Sequence, residues 1–320
     1  MAVPANTVQT YSRNSIREDL SDIISNISPT EVPFTANIGT ATARQRTHEW
    51  QTDDLAAADA DNKHVEGDDT SADVANPTTR LANTTQIFKK AVTVSGTSRA
   101  VDNAGYEDEL VYQVQKRAKE IKRDVEKRAC GDFAAVTGNN TTESEMAGAV
   151  AFMRTNSSRG ATGADPTISG KLVDAPSTPG DLRAFTESQL KTVMEEAWTA
   201  GGEPSMLLMS GKLKQKASEF TGIAEQRKGN TSEAATIIGA ADVYVSDFGD
   251  IAFVPSRFTT GRDALLIDPS LWSIADLRPY FLEELAKTGD SDKRQMICEK
   301  TLVCENDAGN AVIADLDPAL

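Results

Sequence analysis

Four short clusters in this chain carry residue types that do chemistry in other proteins, and each lacks a partner that the chemistry needs. Gly211-Lys212 follows the apolar run Met206–Met209, where a phosphate loop would cradle a nucleotide. That loop needs a glycine five residues before the Gly-Lys pair and Ser or Thr after it; Met206 and Leu213 hold those places. A plain helix start is the reading that remains. Asp247-Phe248-Gly249 has the letters of the kinase magnesium triplet, but no glycine-rich loop or His-Arg-Asp precedes it, so it reads as a β-turn between two short strands. His48-Glu49 lacks the second histidine of a zinc protease. Asp59-Ala60-Asp61 opens like a calcium loop, yet Lys63 takes the fifth place and His64 the place of the required glycine. Weak cation binding there stands beside the default of a solvated or partner-facing loop. No Gly-x-Ser-x-Gly nucleophile elbow occurs. The chain is expected not to be an enzyme, with no catalytic, cofactor-binding or metal-binding residue and no cofactor.

Composition narrows the rest. The 320 residues suffice for one large domain or two moderate ones, and a hydrophobic content of 39% allows a core that is not thick everywhere. Aromatic content of 6% argues against base stacking, and a formal charge of −15 argues against a surface that grips phosphates. An acidic protein can still sit beside nucleic acid, since repulsion keeps it from sticking. Cys130, Cys298 and Cys304 show no CxxC spacing and read as reduced, small apolar residues. Met1 to Thr10 lacks a basic region followed by an apolar run, so no signal peptide is expected. No stretch approaches the length of a membrane span.

The elements that must position anything functional begin with an extended, proline-punctuated arm. A short amphipathic helix fits 15–26, with Ser15 and Glu18 as a capping box; Ser28-Pro29-Thr30 ends it and Pro33 keeps the chain extended afterwards. A strand is predicted over 44–51, with Trp50 its large side chain, and a second over 84–97. Between them Asp53, Asp54, Asp59, Asp61, Glu66, Asp68, Asp69 and Asp73 face one Lys63. Such a segment repels itself and cannot pack alone, so the pair reads as a long hairpin projecting from the body.

Leu110, Val114, Ala118, Ile121, Val125 and Ala129 step by three or four, one narrow apolar stripe that predicts a helix over 106–133 ending near Gly131. Around the stripe Lys116, Arg117, Lys119, Lys122, Arg123, Lys127 and Arg128 outweigh Glu120, Asp124 and Glu126. The basic face has two readings: a phosphate contact, odd beside so much acid, and the favoured one, a solvated surface that pairs with acidic segments of neighbouring copies, setting register more than strength because exposed pairs are individually weak.

Residues 138–180, rich in Gly, Ser, Thr and Asn with a short apolar patch at 150–153, read as surface connection. Beyond them come a helix over 182–200 with Leu182, Phe185, Leu190, Val193, Met194 and Ala197 inward, a strand at 206–209 and a helix at 211–220. Strands follow at 243–245, 251–254 and 265–267, and then a terminal hairpin of 296–304 with 311–316.

Several runs together resemble one family of tailed-phage major capsid proteins. They are Ile16-Arg17-Glu18-Asp19-Leu20-Ser21-Asp22-Ile23-Ile24, Ile27-Ser28-Pro29-Thr30-Glu31-Val32-Pro33-Phe34, His48-Glu49-Trp50-Gln51-Thr52-Asp53 and Glu66-Gly67-Asp68-Asp69. In the second half Val245-Ser246-Asp247-Phe248-Gly249, Val254-Pro255-Ser256-Arg257, Leu277-Arg278-Pro279 and Leu285-Ala286-Lys287-Thr288-Gly289-Asp290 agree in order and spacing. The resemblance covers about 16–316 and implies an α+β fold of the Hong Kong 97 type. It implies an N-arm at 1–43, an extended β-hairpin loop at 44–100 and a peripheral domain at 101–180 with 106–133 as its spine helix. An axial domain at 181–270 and a return to the peripheral domain at 271–320 complete it. The implied function is a self-assembling icosahedral shell around double-stranded DNA, with an encapsulin-like compartment of the same fold as the alternative. Its partners would be further copies in hexamers and pentamers, scaffold, portal and cement proteins, and packaged DNA held non-specifically, with no membrane. Assembly would take place in the bacterial host cytoplasm and the product would be the virion capsid. The expected inter-subunit contacts are the acidic loop residues Asp53, Asp54, Asp59, Asp61, Glu66, Asp68 and Asp69, and Lys116, Arg117, Lys119, Lys122 and Arg123 of the spine helix.

Overall fold

Alternation of side chains along a few short strands creates two apolar layers back to back. The computed structural model describes residues 31–320 except 54, 68, 70–76, 103–105, 107, 221–241 and 318. In chain order come α1 (Pro33–Asn37), β1 (Gly39–Thr42), β2 (Thr47–Thr52), β3 (Thr79–Thr84) and β4 (Gln86–Ser95). Next are α2 (Gly96–Ala100), α3 (Glu109–Ala129), α4 (Ala149–Phe152), β5 (Ser157–Ser158), β6 (Thr167–Ser169) and β7 (Leu172–Ala175). Then follow α5 (Glu187–Thr199), β8 (Met206–Met209), α6 (Gly211–Ala217), β9 (Val243–Ser246) and β10 (Gly249–Pro255). The chain ends through β11 (Ala264–Ile267), β12 (Trp272–Leu285), β13 (Ser291–Cys304) and β14 (Ala311–Ile313).

One sheet has the order β5-β14-β11-β8-β10-β9, the other β1-β12-β13-β4, and β2-β3 and β6-β7 form separate ladders. In the first, Leu207, Met209, Leu266, Ala311 and Ile313 pack on one face with Leu190, Val193 and Met194 of α5 and Leu213 of α6. The intervening Met206, Leu208, Leu265, Ile267 and Val312 point to the opposite face and share a core with the second sheet, with α4 and with Ile121, Val125 and Ala129 of α3. A strand buried on both faces needs an unbroken apolar run, which Met206–Met209 and Ala264–Ile267 supply. The expected α+β class holds.

Several expectations need correction. The predicted helix over 15–26 lies outside the described residues. Pro33 does not keep the chain extended; it occupies the first turn of α1, where a missing N–H costs nothing. The strand predicted over 84–97 is β4, ending at Ser95, but it is not the second arm of the hairpin. β3 pairs with β2 in the register Thr47↔Thr84 to Thr52↔Thr79, while β4 leaves to pair with β13. Helix α3 is shorter than 106–133, because the Asp108 carboxylate caps it through the Leu110 N–H (2.8 Å) and the chain turns away after Cys130. Gly131 lies so close to Gly148 that a Cβ on Gly148 would meet the Gly131 carbonyl at 2.1 Å.

The 138–180 segment is a surface connection only in part, because its middle, 146–153, is core. Met146, Ala147 and Ala149 through Met153 are at most 1% exposed. Polar side chains in and against this stretch serve side-chain-to-backbone hydrogen bonds. Buried Asn83 donates to Leu302 O (2.8 Å) and Ala147 O (3.3 Å) and accepts from Ala147 N (2.9 Å), while Ser144 donates to Thr85 O (2.7 Å). Helix α5 starts at Glu187 rather than 182, since Thr186 and Gln189 form a capping box; Leu182 is left half exposed. Finally, 296–304 and 311–316 do not form a hairpin. β13 is saturated by β12 and β4, and β14 pairs instead with β11 and β5.

Candidate assembly surfaces

Two parts of the chain stand away from the cores, and a third is tied down by an unexpected residue. Glu49 at the hairpin base accepts from Lys171 Nζ (3.1 Å) and pairs with Arg80 (3.4 Å), and Trp50 packs on Phe152 with ring centroids 6.0 Å apart. The root of the hairpin is therefore anchored. Beyond Thr52 the described residues of the acidic loop are exposed. The hydrogen bonds at 59–64 close within the loop, as in Asp61 N–H to Asp59 Oδ1 (2.8 Å) and Lys63 Nζ to Asp61 Oδ1 (2.8 Å). Leu55 is 99% exposed and Val65 78%, so the loop also holds out two apolar side chains that no other described residue covers. Of the predicted contact residues, Asp53, Asp59, Asp61, Glu66 and Asp69 are exposed, while Asp54 and Asp68 lie outside the described residues.

The basic residues of α3 divide by role. Lys116, Lys119 and Lys122 are exposed and have no ion-pair partner among the described residues. Arg117 pairs within the helix with Glu120 (2.5 Å), and Arg123 lies over the Phe258 ring at 5.8 Å. Arg128 is structural: it donates to Met146 O (2.7 Å), pairs with Glu145 (2.8 Å) and stacks on Phe133, and burial lowers its pKa. Among the described residues of one subunit the acidic loop and the α3 lysines form no ion pair with each other.

At the start of α3, Arg99 of α2 bonds both Asp108 and Asp292. Arg99 holds the Asp108 carboxyl below its ordinary range; Lys287 and then Arg99 do the same for Asp292. The cysteines are buried and unpaired, and burial pushes the Cys298 thiol up to about 12, so they belong to the core.

Sequence reasoning placed Glu126 on the charged face of the helix. It is fully buried, and its Oε1 and Oε2 accept from the backbone N–H groups of Phe34 (2.8 Å) and Thr35 (2.9 Å) in the first turn of α1. The carboxylate thus clasps the end of the arm to the spine helix, with Phe34 edge-on to Trp272 at 5.9 Å. Nothing in the local pattern marks it except its place next to Val125 on the border of the stripe. Glu126→Ala takes the partner from one buried and one half-buried N–H and is expected to cost roughly 2–4 kcal/mol. The check is a lowered melting temperature together with faster proteolysis near residue 33; an unchanged melt would remove the clasp from the account.

Residues 3–317 match the family described as SU10 major capsid protein. The "Major capsid protein" of Escherichia phage Phieco32 is 29% identical over 340 residues, which covers 95% of this chain and 95% of that one. Among solved structures the chain is similar to the "Cyanophage A-1(L) capsid asymmetric unit", with a TM-score of 0.68 at 11% identity over 97% of this chain and 99% of that chain. It is also similar to a holo encapsulin complex from Synechococcus elongatus, with a TM-score of 0.52 at 11% identity over 93% of each chain.

Proposed function

The chain belongs to the SU10 major capsid protein family, and from that premise we propose how its parts build a shell. It is a major capsid protein of a tailed phage, with the Hong Kong 97-type α+β fold, and a component of the virion. The reading that goes further is that its appendages make the contacts between copies. The observation that carries it is the acidic loop, whose described residues expose carboxylates, Leu55 and Val65. A shell needs heterologous contacts that close by curvature, and long appendages spread those contacts over several neighbours.

In this assignment 1–43 is the N-arm, 44–100 the extended loop, 101–180 the peripheral domain, 181–270 the axial domain and 271–320 the return, with β14 joining the axial sheet through β11. Asp53, Asp54, Asp59, Asp61, Glu66, Asp68 and Asp69 face cationic surfaces of adjoining copies. Lys116, Arg117, Lys119, Lys122 and Arg123 offer one such surface, the three lysines being the freest of them. Copies group as hexamers and pentamers, with scaffold, portal and cement proteins as further partners, and assembly takes place in the host cytoplasm. The net charge of −15 suits an inner wall that holds packaged DNA without gripping it. The role is structural, without catalysis. The alternative of an encapsulin-like compartment rests on likeness of fold alone, whereas family and curated relative favour the phage head.

The test is negative-stain electron microscopy of the recombinant protein with light scattering across a concentration series. Rings, tubes or hollow polyhedra are the expected result. A monomer at every concentration, unchanged by adding the scaffold protein of the same genome, would overturn the reading.

A further inference from the structure

The ladder β2–β3, from which the acidic loop projects, is held from two directions. On one face Trp50 packs on Phe152 with ring centroids 6.0 Å apart, and Leu81, the register partner of Trp50, is buried. Apolar contact is non-directional, so it keeps the ladder on the body without fixing its tilt. The second hold comes from the hairpin β6–β7. Its two-residue turn has Gly170 first, at φ +66°, and Lys171 second, the pattern of a II′ turn. Lys171 O accepts from Ala82 N (2.9 Å), so the turn lies along the edge of β3 away from β2. Lys171 Nζ also reaches Glu49 of β2, with both carboxylate oxygens at 3.1 Å. The hairpin is rooted in turn: Val173 is fully buried, its carbonyl accepts from Ala135 N (2.9 Å), and Ile168 packs on the core.

We propose that the β6–β7 turn is a strut, with Lys171 as its positioning residue, that sets the direction in which the acidic loop leaves the subunit. Its use to the shell rests on the reading that this loop makes contacts between copies. Two directional bonds, one to the edge of β3 and one to a side chain of β2, fix the tilt and twist that the apolar face leaves open. Each extended residue adds about 3.3 Å of lever, so a small tilt at the root is multiplied further out. Arg80 pairs with the same Glu49 at 3.4 Å, but it stands on the ladder and moves with it. Lys171 belongs to the body, and only its bond ties one to the other. An exposed pair of this kind adds little to stability. What it supplies is direction, since both partners are already held by other contacts.

Spin labels on Ala57→Cys in the loop and Asn140→Cys on the body test this by double electron–electron resonance. Full chains are diluted with excess unlabelled protein, so that only distances within one subunit are read; the native cysteines are buried and take no label. Lys171→Glu is expected to move the mean distance by roughly 3 Å or more, about one residue's rise. Its melting temperature should fall by no more than about 4 °C, as for an exposed pair. Exchanging the charges, Lys171→Glu with Glu49→Lys, is expected to restore the parental distance, and Arg80→Gln to leave it in place. An unmoved distance in Lys171→Glu, no recovery on exchange, or an equal shift from Arg80→Gln each overturns the proposal. The turn offers a second route that leaves the charges alone. A Cβ on Gly170 meets open space, so only its backbone resists substitution. Gly170→Asn, which tolerates positive φ, is expected to keep the parental distance and Gly170→Val to shift it; equal distances in the two overturn the strut. Negative-stain microscopy of the same variants without labels counts closed particles, expected to fall in Lys171→Glu and return on exchange. Normal particles from a variant whose distance has shifted would uphold the strut and overturn the loop as a contact, so the two readings fail separately.

Discussion

Ile121→Asp is expected to leave almost no folded subunit. Ile121 is fully buried on the inner stripe of α3, in the same cluster as Phe34, Phe88 and Cys298. The substitution removes buried apolar contacts and puts a carboxylate into an apolar cluster, a combined cost of roughly 4–7 kcal/mol. That is of the order of the total stability of an ordinary domain, about 5–15 kcal/mol. Soluble yield and thermal unfolding provide the measurement. Two controls separate burial from helix formation: Ile121→Val costs only about 0.5–1.5 kcal/mol, and Lys119→Asp, on the exposed face, leaves the melt nearly unchanged. A soluble Ile121→Asp protein with the parental melting temperature would show that α3 does not pack this way.

Shortening the acidic loop should have the opposite profile. Replacing 53–78 by Asn-Gly joins Thr52 to Thr79 across a two-residue turn suited to the observed register. The hairpin root, with Trp50 against Phe152 and Asn83 bonded to the body, is untouched. The melting temperature is therefore expected to hold while the yield of closed particles falls roughly tenfold or more, a loss that needs only about 1.4 kcal/mol per contact. Normal particles from the shortened chain would remove the loop from assembly. A collapsed melt would instead make it part of the subunit's own fold.

The clasp bears on how the arm is presented. Glu126 holds the chain at Phe34 and Thr35. Preorganisation of that kind lowers the ordering cost of any later contact.

By itself the sequence determined whatever depends on near neighbours along the chain. The stripe from Leu110 to Ala129 gave α3, the apolar runs gave β8 and β11, and the tract between Asp53 and Asp69 could only be a projecting loop, since like charges at that density repel in any fold. Missing partners in the Gly211-Lys212 and Asp247-Phe248-Gly249 clusters could be read as letters, and the absence of a motif needs no coordinates. Order and spacing of the capsid-like runs carried the family, because they sample the whole chain.

Only the tertiary structure decided pairings across long separations. Thr84 and Gln86 are nearly adjacent yet belong to different ladders, and β14 joins β11 rather than β13. Side-chain alternation fixes which face of a strand is buried but not which edge it meets, so such choices rest on the competition among all strands at once. Polarity misled wherever the polar groups found internal partners. Asn83 and Ser144 looked like loop residues and stitch the core, and Glu126 looked solvated and holds the arm. A buried carboxylate is tolerable only where donors converge on it, and here the donors come from a helix that begins 93 residues earlier in the chain.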